Sequence, residues 1–492
     1  MNQPDASGRK RAGRVARLPI LAVIAGLLIA GGLADRKGTG HAAASAAQIQ
    51  PMPVAAPASA LSSSWFCAGA RGQPDKVADG QLVVANASEH PLHGAALLIP
   101  SQGPSVTVPI SVGADNRATV SEAAAGSAPF VGALVQLDGG AAAVEQVVTG
   151  AQGMSTAACA TAGSDHWYFA DGTTQENSNL FISLLNPYPE DAIVDLSFTT
   201  EQGAEAPSDF QGVVVPAKSL IGLDLGTHLR RRAQLATTVS VRTGRIVAFK
   251  TQVATAGTAP ATSPRVPGLS LILGAPSPAT SLWWPDGLTA DGMTERYQIY
   301  NPTQTEADVS LSVALDQGSA DPFAIKVPPG GTGTVVSNTE PRVPKGVGHA
   351  AELRTTTGVG VVAERTIDAV APASRLGLVD VGGSRLQARR WLLAAGSANS
   401  SLNESVVIYN PGTTAADVSV VGLGGSIADI NGLSGLILPP GRRLVVRIND
   451  RSPSLDRALL VEASADVIVE RDLSRVNAIG TDATIGVPLN AS

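Results

Sequence analysis

The sequence has little of what chemistry usually requires. Among 492 residues there are two cysteines, six histidines and 4% aromatic residues, and only 15% of positions are charged. Two cysteines with no histidine at ligand spacing do not build a tetrahedral metal shell. His90 and His93 flank a Pro-Leu turn with no third ligand nearby. The net charge of −6 is spread thinly, and beyond the N-terminus the compact basic run is Arg230, Arg231 and Arg232. A nucleic-acid footprint needs a basic domain or stripe, so nucleic acid is not an expected partner. There is no GxSxG elbow, HExxH pair, phosphate loop or dinucleotide fingerprint. The expectation is a chain that is not an enzyme, with no catalytic residues, no cofactor and no metal.

Long apolar runs are scarce as well, with one exception. Arg9, Lys10, Arg11, Arg14 and Arg17 precede LPILAVIAGLLIAGGLA, from Leu18 to Ala34. A basic flank before an uncharged apolar stretch marks a signal segment or a single spanning helix whose basic side stays in the cytoplasm. Asp35, Arg36 and Lys37 separate it from the small-residue cleavage candidates around Ala42, Ala44 and Ala46, which favours an uncleaved anchor over secretion. The expected layout is a basic cytoplasmic 1–17, a transmembrane anchor or signal segment 18–34 and an Ala/Pro/Ser-rich tether 35–61. The remainder is expected on the outer side of the cell membrane.

What the chain does have in quantity is glycine, 52 residues, and proline, 33, the residues of tight turns between short strands. A pattern also recurs four times. Each copy opens on tryptophan, in SSWFCAG, DHWYFADG, SLWWPDG and RRWLLAAG. A glycine then precedes an asparagine by fourteen residues: Gly72 and Asn86, Gly172 and Asn186, Gly287 and Asn301, Gly396 and Asn410. Pro187, Pro302 and Pro411 follow the last three. Beyond them Val194 and Leu196, Val309 and Leu311, and Val418 and Val420 alternate with polar residues, the period of a half-buried strand. Pro-containing corners follow at Pro216, Pro328 and Pro439, and then paired strands that read as hairpins, VSVRTGRIVAFK, AELRTTTGVGVVAER and LLVEASADVIVER. Seven or eight short strands per copy of roughly 105 residues fit a two-sheet sandwich. The expected fold is all-β, a tandem array of about four immunoglobulin-like or fibronectin-like β-sandwiches, at 62–163, 164–278, 279–386 and 387–492.

Within that frame the repeated Asn-Pro reads as a strand terminus and turn. Cys67 lies in the first strand of copy one and Cys159 near its closing strand. A disulfide between them would close nearly the whole copy, and two free buried thiols are the alternative. The tryptophans read as core plugs or seals between neighbours. Trp283 and Trp284 are the exception: adjacent strand residues face opposite ways, so they are candidate ligand contacts, for sugar stacking. Glu364 and Glu470, each followed by an arginine, recur with Glu145 but face Phe249 in copy two, and they read as strand-face ion pairs of little weight. Asp171, Asp286 and Asp291 do not share the spacing of an oxygen-ligand set.

The basic N-terminus with its apolar anchor, the tryptophan openings, NPTQTEADV, NPGTTAADV, VPPGG and VVAER together resemble an uncharacterised family of exported, membrane-anchored actinobacterial envelope proteins, a domain of unknown function. The resemblance covers residues from about 10 to the end and implies export and membrane association, without functional residues to carry over. The expected role is therefore binding or scaffolding of cell-envelope components, protein or polysaccharide. The alternative is a carbohydrate-binding accessory in cell-wall polysaccharide assembly.

Overall fold

The computed structural model describes residues 52–70, 79–255, 266–318, 320–425 and 427–489. The apolar stretch from Leu18 to Ala34 and most of the tether lie outside the described residues. Among the described residues no helix is long and apolar enough to cross a membrane.

The four spaced asparagines make the same local structure each time. Asn301 directly follows the strand Met293–Tyr300 and is fully buried. Its amide donates to Thr305 O at 2.8 Å and to Val327 O at 3.1 Å, and its side-chain oxygen accepts from Thr303 N at 3.0 Å. Asn410 does the same with Thr414 O, Leu438 O and Gly412 N. Asn186 uses Glu190 O, Val215 O and Tyr188 N, and Asn86 uses His90 O, Gly113 O and Ser88 N. One carboxamide thus satisfies a turn and the end of the Pro-containing edge strand, backbone groups that would otherwise be buried unpaired. The turn then delivers Ala307–Leu315 with alternate residues buried, Val309 and Leu311 among them.

The strands, all antiparallel, fall into four consecutive sets. Residues 63–158 make two four-stranded sheets, and the grouping into two sheets recurs over 166–273 and 281–382; over 388–488 the two corresponding sheets are joined through the long strand Ala458–Arg475 into one nine-stranded sheet. Within each set both sheets contribute to one apolar core, with Trp65, Trp167, Trp284 and Trp391 fully buried. Cys67 and Cys159 form a disulfide in the first set, with Cα atoms 4.7 Å apart.

The expected hairpins are not hairpins. In AELRTTTGVGVVAER the first half, His349–Thr355, pairs with Ser281–Trp284 and Ala307–Leu315, whereas Val362–Ala369 pairs with Met293–Tyr300 and Gly377–Gly382 in the other sheet. In the last set the crossing is one strand, Ala458–Arg475, whose first half belongs to one sheet and whose second half to the other. Two alternating runs with a short turn look alike whether they pair together or switch sheets at a sandwich corner.

The last strands of the four sets converge. Gly268–Leu273 lies against both Gly153–Ala158 and Gly377–Gly382, and Thr481–Ile485 lies against the same two. The sets therefore close on one another around these strands. The close approach demands glycine: Gly377 and Gly480 have φ of 133° and 142°, and a Cβ on Gly268 would collide with Leu378.

Replacing Asn301 by Ala or Asp is expected to destabilise the protein by about 2–4 kcal/mol, because neither side chain can donate to the two buried carbonyls. Chemical denaturation of the two variants measures it.

Candidate functional site

The VVAER stretches end on a pair of residues that occupies equivalent places in all sets: Glu145-Gln146, Phe249-Lys250, Glu364-Arg365 and Glu470-Arg471. Adjacent residues of a strand point to opposite faces. The first of each pair faces a neighbouring set, and the second lies among the inner-face residues of its own. Lys250 Nζ reaches Glu364 Oε2 at 2.6 Å and Asp380 Oδ2 at 2.7 Å. Arg365 Nη2 reaches Glu470 Oε1 at 2.5 Å, and Arg471 Nη2 reaches Glu145 Oε2 at 3.0 Å. Each cation meets the acid of the following set, and the last meets the acid of the first. The expectation of weak strand-face pairs is thus corrected, since these six side chains are buried and every pair joins two sets.

Each pair also locks the loop after a tryptophan strand. Glu364 accepts from Ala170 N and Asp171 N at 2.8 and 3.1 Å, while Lys250 donates to Asp171 O at 2.5 Å. Glu470 accepts from Asp286 N and Glu145 from Ala395 N, with Arg365 and Arg471 donating to the carbonyls of the same loop residues. At the remaining junction, between the first and second sets, the acid is Phe249 and the cation is Gln146. Gln146 accepts from Gly69 N of its own set at 3.0 Å and donates to Glu122. Phe249 packs beside Gly69, and Phe130 meets Phe181 edge-on with ring centroids 5.7 Å apart. That junction is apolar apart from the bond from Thr251 Oγ1 to Gly69 O at 3.3 Å.

The electrostatics follow from burial. Burial raises both Glu364 and Asp380 and Lys250 opposes this; the charge of Asp380 adds to the rise of Glu364, and that of Asp171 to the rise of both. Burial would also raise Asp286, but Arg375, Arg443 and Arg365 around it hold it below the usual carboxylate range. Arg443 bridges Asp286 and Asp316 of the third set at 2.5 and 2.7 Å, and Arg375 joins Asp286 to Asp472. Glu295 and Glu404 occupy the same place in consecutive sets. Glu295 has His349 at 2.9 Å, whereas both oxygens of Glu404 are buried without a hydrogen-bond partner. Burial pushes Glu404 up to about 7.

Two concave features stand out among the described residues. A cavity of about 150 Å³ lies at the end of the converging strands, lined by Leu271, Leu273, Val381, Ile485 and Arg385 among others. A polar groove of about 600 Å³ lies between the third and fourth sets, lined by Ser374, Asn403, Ser405, Arg447 and Asn449 among others. Sequence reasoning singled out neither, because each is assembled from several sets.

Trp283 and Trp284 do not offer an open face. Trp284 is fully enclosed against Tyr297 in the core of the third set. Trp283 is only 6% exposed, packed among residues of the fourth set with Arg354 5.9 Å from its ring. The doublet does split to opposite faces, but the neighbouring set covers the outer ring. Asp171 and Asp286 belong to the interfaces, and Asp291 pairs with Lys345 at the surface. Among the described residues no group of acids, histidines or cysteines has the geometry of a metal site.

Arg471→Met alone is expected to cost about 3–5 kcal/mol by stranding Glu145, and Arg471→Met with Glu145→Leu to recover most of it. Breaking the exposed Arg390–Glu462 pair is expected to cost less than about 1 kcal/mol. A double-mutant cycle by urea denaturation measures both. Glu404 supplies a pH signature: its raised carboxyl is neutral in the folded state near pH 5, so folding holds an extra proton. The contribution of Glu404 to stability then falls as pH rises from the unfolded value near 4.5 to about 7 and levels off above it. Glu404→Gln is expected to remove this decline, of about 3 kcal/mol, from denaturation curves collected between pH 4 and 8.

No curated protein sequence matches the chain. Among solved structures, Thermotoga maritima 1070 matches at 14% identity over 23% of this chain and 93% of its own, with a TM-score of 0.20. The Streptomyces avermitilis alpha-L-rhamnosidase complexed with L-rhamnose matches at 10% identity over 80% of this chain and 54% of its own, with a TM-score of 0.11. The tetra-tandem repeat in the extending region of a large adhesion protein matches at 13% identity over 88% and 100%, with a TM-score of 0.10. These likenesses are too slight to carry an argument. A family model matches residues 114–363, half of the sequence, and on that match the chain belongs to DUF5719, a family of unknown function.

Proposed function

We propose that this protein is a non-catalytic module of the cell envelope, held at the outer face of the membrane by the apolar stretch from Leu18 to Ala34. In this reading its four sets are immunoglobulin-like sandwiches in tandem, and the closed assembly binds or scaffolds envelope components. One observation carries it. The unusual charged residues, those buried at the ends of the VVAER stretches, are consumed in joining the sets. They serve rigidity and leave the outer surfaces as the working part. The bond from Ala55 N to Pro488 O ties the end of the tether to the last strand, which suits a body suspended from an anchor. The actinobacterial envelope is the setting that the family resemblance implies.

A carbohydrate-binding accessory role is the second reading. It draws on the polar groove, where Ser374, Asn403 and Ser405 present hydrogen-bonding groups, and not on Trp283 or Trp284.

The full-length chain, expressed in an actinobacterial host, is expected in the membrane fraction and open to protease added outside intact cells. Cross-linking in intact envelopes is expected to give a discrete adduct with protein or wall polymer. A cytoplasmic, protease-protected chain would overturn the anchored reading, and absence of any adduct the scaffolding one.

A further inference from the structure

The floor of the polar groove is the outer face of a sheet in the fourth set. Glu404, Val446, Arg471 and Leu473 turn inward and are buried, so their strand neighbours Asn403, Ser405, Val445, Arg447 and Ser474 face the groove. Asn403 lies opposite Ser474, and Ser405 opposite Arg447. The third set supplies the facing wall, with Leu288, Ser374 and Arg375. Most charges on the lining are already taken: Arg443 holds Asp286 and Asp316, and Arg375 holds Asp286 and Asp472. Arg447 is exposed and, among the described residues, meets no acid. Asn403 and Ser405 likewise have no hydrogen-bond partner among the described residues, and Ser474 has none although it is only 6% exposed. A nearly buried hydroxyl left unpaired costs free energy, and this one opens on the groove.

The two preceding sets close the same face. Ser405 stands five residues before the buried Asn410, as Arg296 does before Asn301 and Phe181 before Asn186. Arg296 pairs with Asp368, the counterpart of Ser474, at 2.6 Å, and Phe181 meets Phe130 of the first set. Of these three sets, the fourth leaves the positions unpaired. Resting on the carbohydrate-binding reading above, we propose that the groove binds an acidic saccharide, with its carboxylate or phosphate on the guanidinium of Arg447 and its hydroxyls on Asn403, Ser405 and Ser474. The planar fork of a guanidinium matches two oxygens of either anion. Opposite residues stand about 4.5–5.5 Å apart and alternate residues of a strand about 6.6–6.8 Å, which spreads these groups over one or two sugar rings. Val445, 40% exposed beside Arg447, offers an apolar surface to the C–H face of a ring. Asp450, past the end of the strand, also lines the groove, and an ionised carboxylate accepts the hydrogen bonds that sugar hydroxyls donate. The volume, about 600 Å³, is within the roughly 300–1,000 Å³ of small-ligand sites.

The test uses the full-length chain in a neutral detergent, titrated by calorimetry with trigalacturonate, maltotriose and fully deacetylated chitotriose as acidic, neutral and basic probes. Saturable one-to-one binding of trigalacturonate, at least tenfold tighter than the other two and weakened by added salt, is expected. Displacement by glucuronate more readily than by glucose 6-phosphate points to a uronate, and the reverse to a sugar phosphate. Arg447→Gln, a change at an exposed position, is expected to bring trigalacturonate down to the affinity of maltotriose. Asn403→Ala is expected to weaken both at least threefold. Maltotriose binding that Asn403→Ala weakens, with trigalacturonate no tighter or chitotriose tightest, would overturn the acidic assignment and leave the carbohydrate reading standing. No saturable binding of any of the three would overturn both. Undiminished trigalacturonate affinity in Arg447→Gln would overturn the proposal.

Discussion

The assembly depends on a carboxylate of one set reaching the cation of the set before it, out of contact with water. Removing two charges from water costs several kcal/mol per ion, and attraction repays this only when the remaining hydrogen-bonding capacity is also used. Glu364 meets that condition with two backbone N–H donors and Lys250, and Lys250 meets it with two carboxylates and a carbonyl. Such a pair is a poor source of net stability but a strict specifier of geometry. An acid displaced by one residue would face the core of its own set, since alternation along the strand is fixed. The charge pairs therefore select one docking between sets against the many that apolar surfaces alone would accept.

The same alternation explains how one dipeptide serves two junctions. Glu364 leaves the outer face of Val362–Ala369 toward the second set, while Arg365 runs through the interior of the third set, beside Tyr297, toward Glu470 of the fourth. Neighbours in sequence, they are never partners in space. Copy two shows what happens when the rule lapses. With Phe249 in the acid's place, the cation at the preceding position becomes Gln146, and both changes fall on one junction. A lone Phe249 would have left a buried cation at position 146 without its acid, so the two substitutions make sense together.

Much of the architecture was legible because it is local. The Gly to Asn spacing, the alternation after it and the tryptophan openings reflect contacts within one copy, and Asn301 makes its bonds within 26 residues of itself. What was not legible lies between copies. Glu364 and Glu470 carried a visible signal, an acid next to a base at a repeated position, but the tandem pattern invited a surface reading, because nothing in the sequence says that copy four returns to copy one. The sheet-switching strands were missed for a related reason: period two gives the face of a residue, not the sheet it joins. Arg447 gave no signal, since a single arginine in an alternating strand is unremarkable until the third set walls the face on which it stands.

Closure concentrates the burden on one junction. The first and second, second and third, and third and fourth sets are joined by the chain itself, whereas the fourth and first are held by contacts alone. There Arg471 meets Glu145, Arg117 donates to Ala394 O and Gly396 O and pairs with Asp456, and Ala55 bonds Pro488. The disulfide bears on this same place. Cys159 directly follows Ala158, whose register partner in the sheet is Glu145, and Cys67 fixes that strand end to the opening strand of the first set. A loop closed over 92 residues restricts the unfolded chain by about 4–5 kcal/mol in the entropy model. Placed here, the bond also holds the strand that presents the closing carboxylate. The divergent first copy, the one with an alanine after its asparagine and no cation at position 146, is thus the copy that is covalently stapled, and it is stapled beside the residue on which closure depends.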